Sequence, residues 1–209
     1  MGPPVAVGGD LEGAKTLAPL VLASTSPQRR AILEQLGIPF DVVEPRYEEV
    51  EPPELADATR VVREHAQGKA RSVAGEADGR PVLGVDTEVV LQGLIFGKPA
   101  DATEAEQMLE ELSGKTHVVM SGLCLLTPGW EELEDEGTRV TFRELTPRDL
   151  AWYIETREWE GRAGAYAIQG RGAALVRSIE GDYLNVVGLP ASCLIRLLAG
   201  RFAGTYGFG

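Results

Sequence analysis

Several short stretches of this 209-residue chain carry residue types that can handle phosphate, metal or a nucleobase. The first is Ser24-Thr25-Ser26-Pro27-Gln28-Arg29-Arg30. Ser26 suits an N-cap and Pro27 the first helical position, so a helix is expected to start there. Its free N–H groups and positive dipole end favour an anion. Arg29 and Arg30 in that first turn oppose the dipole by about 0.3–1 kcal/mol each. An anion would offset that cost, with Ser24, Ser26 and Gln28 adding polar groups beside it. The second stretch is Gly84-Val85-Asp86-Thr87, an acid at the C-terminal end of a buried-type strand, where α/β proteins place ligand groups. A carboxylate there can bind a hard cation or activate a water. Tyr47-Glu48-Glu49 offers a second carboxylate in an acidic loop, and Lys69 and Lys98 are isolated cations at element ends. The small-residue loop Gly161 to Gly172 carries Gln169, whose paired donor and acceptor can read a base edge. Singly, each has an ordinary structural reading: a capped helix, a turn, a solvated charge run. Together they suit a metal–nucleoside triphosphate, although the chain has no Walker A loop and no kinase signature set.

These residues need elements to position them. Leu20–Ala23 reads as a strand, followed by a helix from Pro27 that stops at Gly37. Phe40–Val43 is a second strand, Thr59–Ala74 a helix and Pro81–Val85 a buried strand. Glu88–Leu91 and Leu94–Phe96 flank Gln92-Gly93 as a tight hairpin. Thr103–Glu106 is a capping box opening a helix that closes near Gly114. Strands follow over His117–Leu126 and Thr138–Glu144, then a helix over Pro147–Glu155. Ala174–Ile179 and Tyr183–Val187 read as strands and Pro190–Ala199 as the last helix. Interleaved helices with hairpin-linked neighbours predict an α/β fold with a mixed sheet, in two lobes around a central cleft. Residues 1–18, rich in Gly, Pro and Ala, read as a flexible leader and 201–209 as a flexible tail. That leaves 19–200 as a single domain.

The chain holds 32 acidic and 20 basic residues, a formal net charge of −12. This balance excludes electrostatic coating of long nucleic acids and of anionic membranes. No apolar run approaches the ~20 residues of a membrane span, and no basic-then-apolar signal opens the chain. Cys124 and Cys193 lie in apolar runs and read as buried thiols, which suits a cytoplasmic, reducing setting. His65 and His117 belong to no zinc-ligand spacing.

The chain resembles the Maf family of nucleoside triphosphate pyrophosphatases over about residues 20–199. The resemblance rests on Leu22-Ala23-Ser24-Thr25-Ser26-Pro27-Gln28-Arg29-Arg30, Tyr47-Glu48-Glu49, Lys69-Ala70, Gly84-Val85-Asp86-Thr87 and Gly97-Lys98-Pro99. It continues with Leu112-Ser113-Gly114, Arg162 to Gly170, and Asn185-Val186-Val187-Gly188-Leu189-Pro190. It implies a Maf/inosine-triphosphatase-like fold, a homodimer, and metal-dependent hydrolysis of a nucleoside triphosphate to monophosphate and pyrophosphate with Mg²⁺ or Mn²⁺. By position, Asp86 is then the catalytic carboxylate and a metal ligand, and Glu49 the second acid on the metal. Ser24, Ser26, Gln28, Arg29, Lys69 and Lys98 would handle the triphosphate, and Thr87 and Gln169 the base. The loop Ala165 to Gly170 is similar to that of the branch acting on dTTP and UTP. Three positions depart from that pattern: Gln28 where the branch has Arg, Glu88 where the family has an apolar residue, and Ala167 in place of Gly. The alternatives are a 7-methyl-GTP or purine-directed pyrophosphatase, and a non-catalytic nucleotide-binding regulator of cell division. Both acids together with both lysines favour an enzyme.

Overall fold

The structure, a computed structural model, describes residues 18–50 and 56–208. Residues 1–17 of the expected leader lie outside the described residues. A sheet of seven strands runs in the order β2 (Phe40–Val43), β1 (Leu20–Ala23), β3 (Val82–Leu91), β5 (Thr116–Leu126), β6 (Glu131–Phe142) and β7 (Val176–Glu180). The short β4 (Leu94–Phe96) pairs with the far end of β3. β1 is parallel to both β2 and β3, and every pairing from β3 to β7 is antiparallel, so the sheet is mixed as expected.

Helices cover this sheet where the sequence places apolar faces. α1 (Pro27–Gln35) and α6 (Ala191–Phe202) pack Ile32, Leu33, Leu194 and Leu198 on Leu20, Leu22, Leu83 and Leu123. On the other face α2 (Ala58–Val73) lays Ala66, Ala70 and Val73 against Val21, Val82 and Cys124. The second lobe gathers Val89, Val119 and Phe142 with α3 (Ala102–Leu112) and α4 (Pro147–Ile154), through Leu109, Leu112, Leu150 and Tyr153. β3 and β5 run through both lobes.

α2 approaches the sheet closely because two strand residues beneath it lack side chains. A Cβ on Gly84 would lie 2.8 Å from Ala70 N and 2.9 Å from Ala70 Cβ, and one on Gly122 would lie 2.7 Å from Arg63 N. Such separations are well inside contact distance, so only glycine fits there.

Several elements differ from the sequence expectation. Pro81–Val85 and Glu88–Leu91 form one continuous strand, β3, because the Asp86-Thr87 pair between them stays in register with β5. β6 begins at Glu131, since its acidic first half pairs with β5 residue by residue and keeps its charges at the surface. The capping box of α3 is shifted: Asp101 accepts from Glu104 N at 2.9 Å, and the Glu104 carboxylate accepts from Ala100 N. Tyr183–Val187, expected as a strand for its β-branched residues, is the short helix α5. Its ends decide this. Asp182 caps it by accepting from Leu184 N at 2.8 Å, and Gly188 closes it at φ 126°. The buried Asn185 fastens it to the sheet, donating to Val119 O and to Thr138 Oγ1, each at 3.0 Å. Asn185→Ala is expected to cost about 2–3 kcal/mol by leaving those buried acceptors unpaired, read as a lowered urea midpoint. Over the expected tail, α6 continues to Phe202, and the buried Tyr206 donates to Ala18 O at 3.2 Å.

Candidate functional site

A cleft of about 960 Å³ opens between the lobes. Ser24, Ser26, Gln28, Arg29, Glu49, Lys69, Asp86, Thr87, Lys98 and Gln169 all line it. Arg30 is exposed and does not.

Asp86 sits on β3 facing α2, in step with Gly84, so the helix lies directly over it. It is 4 % exposed, and the α2 residues beside it, His65 and Lys69, are 6 % and 7 % exposed. Lys69 Nζ lies 2.5 Å from Asp86 Oδ1 and 2.6 Å from Glu49 Oε1, bridging the two carboxylates. His65 Nδ1 lies 3.3 Å from Asp86 Oδ2, but neither atom has an aligned hydrogen-bond partner. Burial alone would raise the Asp86 carboxyl; His65, Lys69 and Arg29 around it overcome that and hold it well below the usual carboxylate range. Burial likewise works against the charged form of Glu49, and its bond from Lys69 outweighs it, so Glu49 also lies low. Both acids are therefore anionic at neutral pH.

Across the cleft floor Arg29 projects from the first turn of α1. Its Nε donates to Gly188 O at 2.8 Å, Nη1 to Ser24 Oγ at 3.2 Å and Nη2 to Thr87 Oγ1 at 3.3 Å. These acceptors, one of them the carbonyl that ends α5, offset the unfavourable position at the helix start. The Thr87 hydroxyl is engaged within the protein, 2.9 Å from Ser121 Oγ. The Ser26 hydroxyl donates to Gln28 Oε1 at 3.2 Å and accepts from Arg29 N, capping α1 as expected.

The opposite wall is the glycine-rich loop. Gly161 and Gly164 have φ of 67° and 64°, a left-handed conformation that L side chains adopt at a cost. Gly164 N donates to Gly97 O at 3.1 Å, tying this loop to the one that carries Lys98. Ala167 N donates to Tyr153 Oη at 2.9 Å, and the buried Tyr166 shares a 2.9 Å hydrogen bond with His117 Nε2. These bonds leave Gln169 exposed on the rim.

The site thus unites two anionic carboxylates, a buried lysine and an arginine below a loop able to approach a flat ring. The profile of the Maf-like protein family matches residues 19–201. The chain belongs to the Maf family. A Maf relative from Nitratidesulfovibrio vulgaris, named dTTP/UTP pyrophosphatase, is 50% identical over 186 residues, covering 88% of this chain and 89% of its own. A dTTP/UTP pyrophosphatase of Symbiobacterium thermophilum is 46% identical over 179 residues, covering 86% and 92%. One from Deinococcus radiodurans is 42% identical over 196 residues, covering 94% and 98%.

Two side chains of this Maf site went unassigned from sequence. His65 fits no metal-binding motif, yet it stands four residues before Lys69 and so shares its helix face. Glu49, His65 and Asp86 each bring one ligand atom within 4.8 Å of the others. Glu88, two residues beyond Asp86 on β3, also lines the cleft, and its Oε2 has no hydrogen-bond partner. Burial pushes its carboxyl up to about 8, with the charges of Asp86 and Glu49 adding to the effect.

This shift has a sign that can be measured. The folded chain holds a proton on Glu88 that the unfolded chain, titrating near 4.5, has lost. Stability therefore falls as pH rises toward about 8 and levels off above it. Between about pH 5.5 and 7 the slope from this group is expected to approach ~1.4 kcal/mol per pH unit, halving by about pH 8, and Glu88→Gln is expected to remove that share. Urea unfolding of both proteins across that range checks this.

Proposed function

We propose that this chain hydrolyses a nucleoside triphosphate, dTTP or UTP above others, to the monophosphate and pyrophosphate. The observation that carries this reading is the buried, anionic Asp86, held between Lys69 and His65 at the floor of a cleft that a nucleotide can enter. The relatives named above supply the substrate class.

In this reading the triphosphate lies across the N-terminus of α1, where Ser24, Ser26 and Gln28 offer polar groups and Arg29, Lys69 and Lys98 offer positive charge. Asp86 orients a water and accepts its proton as the water oxygen bonds to the α-phosphorus. The bond from that phosphorus to the bridging oxygen breaks, and pyrophosphate departs with its charge balanced by the three cations. Thr87 acts through Arg29, whose guanidinium it fixes, and Gln169 faces the base.

Glu49 and Asp86 fit a divalent cation such as Mg²⁺ or Mn²⁺. Each brings a ligand oxygen within 4.8 Å of the other, both are anionic, and Asp86 Oδ2 is buried without a hydrogen-bond partner. A cation bound there would supply Lewis-acid charge to phosphate oxygens.

No described helix is long and apolar enough to cross a membrane. The free, buried thiols of Cys124 and Cys193 agree with a cytoplasmic setting, and a homodimer belongs to the same reading. The test is pyrophosphate release from a panel of pyrimidine, purine and 7-methylguanine triphosphates with Mg²⁺ or Mn²⁺. Preference for dTTP and UTP is expected. Preference for a purine would overturn the substrate assignment, and no release from any would leave a nucleotide-binding regulator.

A further inference from the structure

His65 is a buried imidazole lining the cleft from α2. It is 6 % exposed, and its Nδ1 has no hydrogen-bond partner although Asp86 Oδ2, equally unpartnered, lies 3.3 Å away. Leaving a buried polar atom without a partner is costly, and here two face each other across the same small space. The Tyr47 ring, 5.8 Å from the imidazole between centroids, closes one side, and Lys69 on the next turn of α2 already satisfies Asp86 Oδ1. What remains is an imidazole and a carboxylate that, with Glu49, each bring one ligand atom within 4.8 Å of the others.

The chemistry of that set is specific. Mg²⁺ favours oxygen ligands and gives up its waters reluctantly. Imidazole nitrogen instead suits first-row transition ions, whose affinity for such sites exceeds that of the hard alkaline-earth ions. We propose that His65 is a nitrogen ligand of the divalent cation held by Glu49 and Asp86, so that this chain takes Mn²⁺ or Co²⁺ in preference to Mg²⁺. The inference rests on the metal reading of Glu49 and Asp86 above and adds to it the third ligand and the ion class. Lys69, the ammonium now bridging both carboxylates, is the resident counter-charge that such an ion would share them with.

The test is spectroscopic and does not depend on turnover. Mn²⁺ is bound to the full chain, alone and with inorganic pyrophosphate, which carries no nitrogen, and pulsed EPR reads nitrogen coupling to the ion. Coupling is expected in the wild-type protein, with its frequencies changed by ¹⁵N-histidine labelling and its signal lost in His65→Leu and His65→Gln. The other histidine, His117, is committed to Tyr166 in the second lobe and supplies no competing signal. In competition titrations the preference for Mn²⁺ over Mg²⁺ is expected to fall about tenfold or more in both variants. Mn²⁺ bound at the carboxylates without histidine coupling would overturn the proposal while leaving the metal reading standing. No Mn²⁺ binding to the wild-type protein, alone or with pyrophosphate, would overturn both. The wild-type spectrum decides the question even if a variant folds poorly.

Discussion

Asp86→Asn is expected to lower kcat for the preferred triphosphate by about a thousandfold, with KM changed only a few-fold. The substitution keeps the shape of the side chain and removes its charge and its basicity. A positioned general base alone contributes about 10²–10⁴ in rate. Asn also weakens any cation site shared with Glu49, so the upper part of that range is expected. The fold is expected to survive, because Glu49 Oε1 remains 2.6 Å from Lys69 Nζ and keeps that buried ammonium compensated. Circular dichroism and a thermal melt establish folding, and single-turnover kinetics separate chemistry from binding. Near wild-type turnover of a folded Asp86→Asn protein with metal present would remove Asp86 from the chemistry.

Gly84→Ala is expected to damage stability and activity together, though it touches no substrate. The added methyl group would meet Ala66 O and the Ala70 backbone and side chain, so α2 must lift from the sheet. Overpacking of this kind costs about 1–3 kcal/mol, which lowers Tm by roughly 2–12 °C in a chain of this size. The same lift moves His65 and Lys69 away from Asp86. A displacement of about 1 Å among groups that must converge on one reaction can cost about a hundredfold in kcat/KM. A variant that lost only stability would show that the depth at which α2 sits does not govern the site.

Much of this arrangement was legible in the sequence because local chemistry fixed it. Ser26 and Pro27 mark the start of α1, and Gly93 marks the β3–β4 turn, each by its own backbone preference. The site residues of α1, β3 and the glycine-rich loop could be named because acids, cations and small residues at element ends have few other uses. What could not be read was set by distant partners. Tyr183–Val187 looks like a strand by composition and is a helix through Asp182, Gly188 and the Asn185 bonds to β5 and β6. The first half of β6, a run of acids ahead of the strand expected from Thr138, is a strand because β5 offers it a full ladder. His65 has no local signal beyond its spacing of four from Lys69, because its meaning lies across space, in Asp86, 21 positions along the chain.

The continuity of β3 and β5 through both lobes has a mechanical consequence. Lobes joined by a flexible crossing can shut around a ligand like a jaw, but here the crossing is itself the middle of a hydrogen-bonded sheet. Swinging one lobe against the other would bend or shear nine consecutive paired positions, from Val82–Leu126 to Val90–Val118. The width of the cleft is thus set when the chain folds rather than when a nucleotide arrives. Adjustment to the ligand falls to the loops on its rim, those carrying Glu49, Lys98 and Gln169, while Asp86 stays anchored to the stiffest part of the molecule.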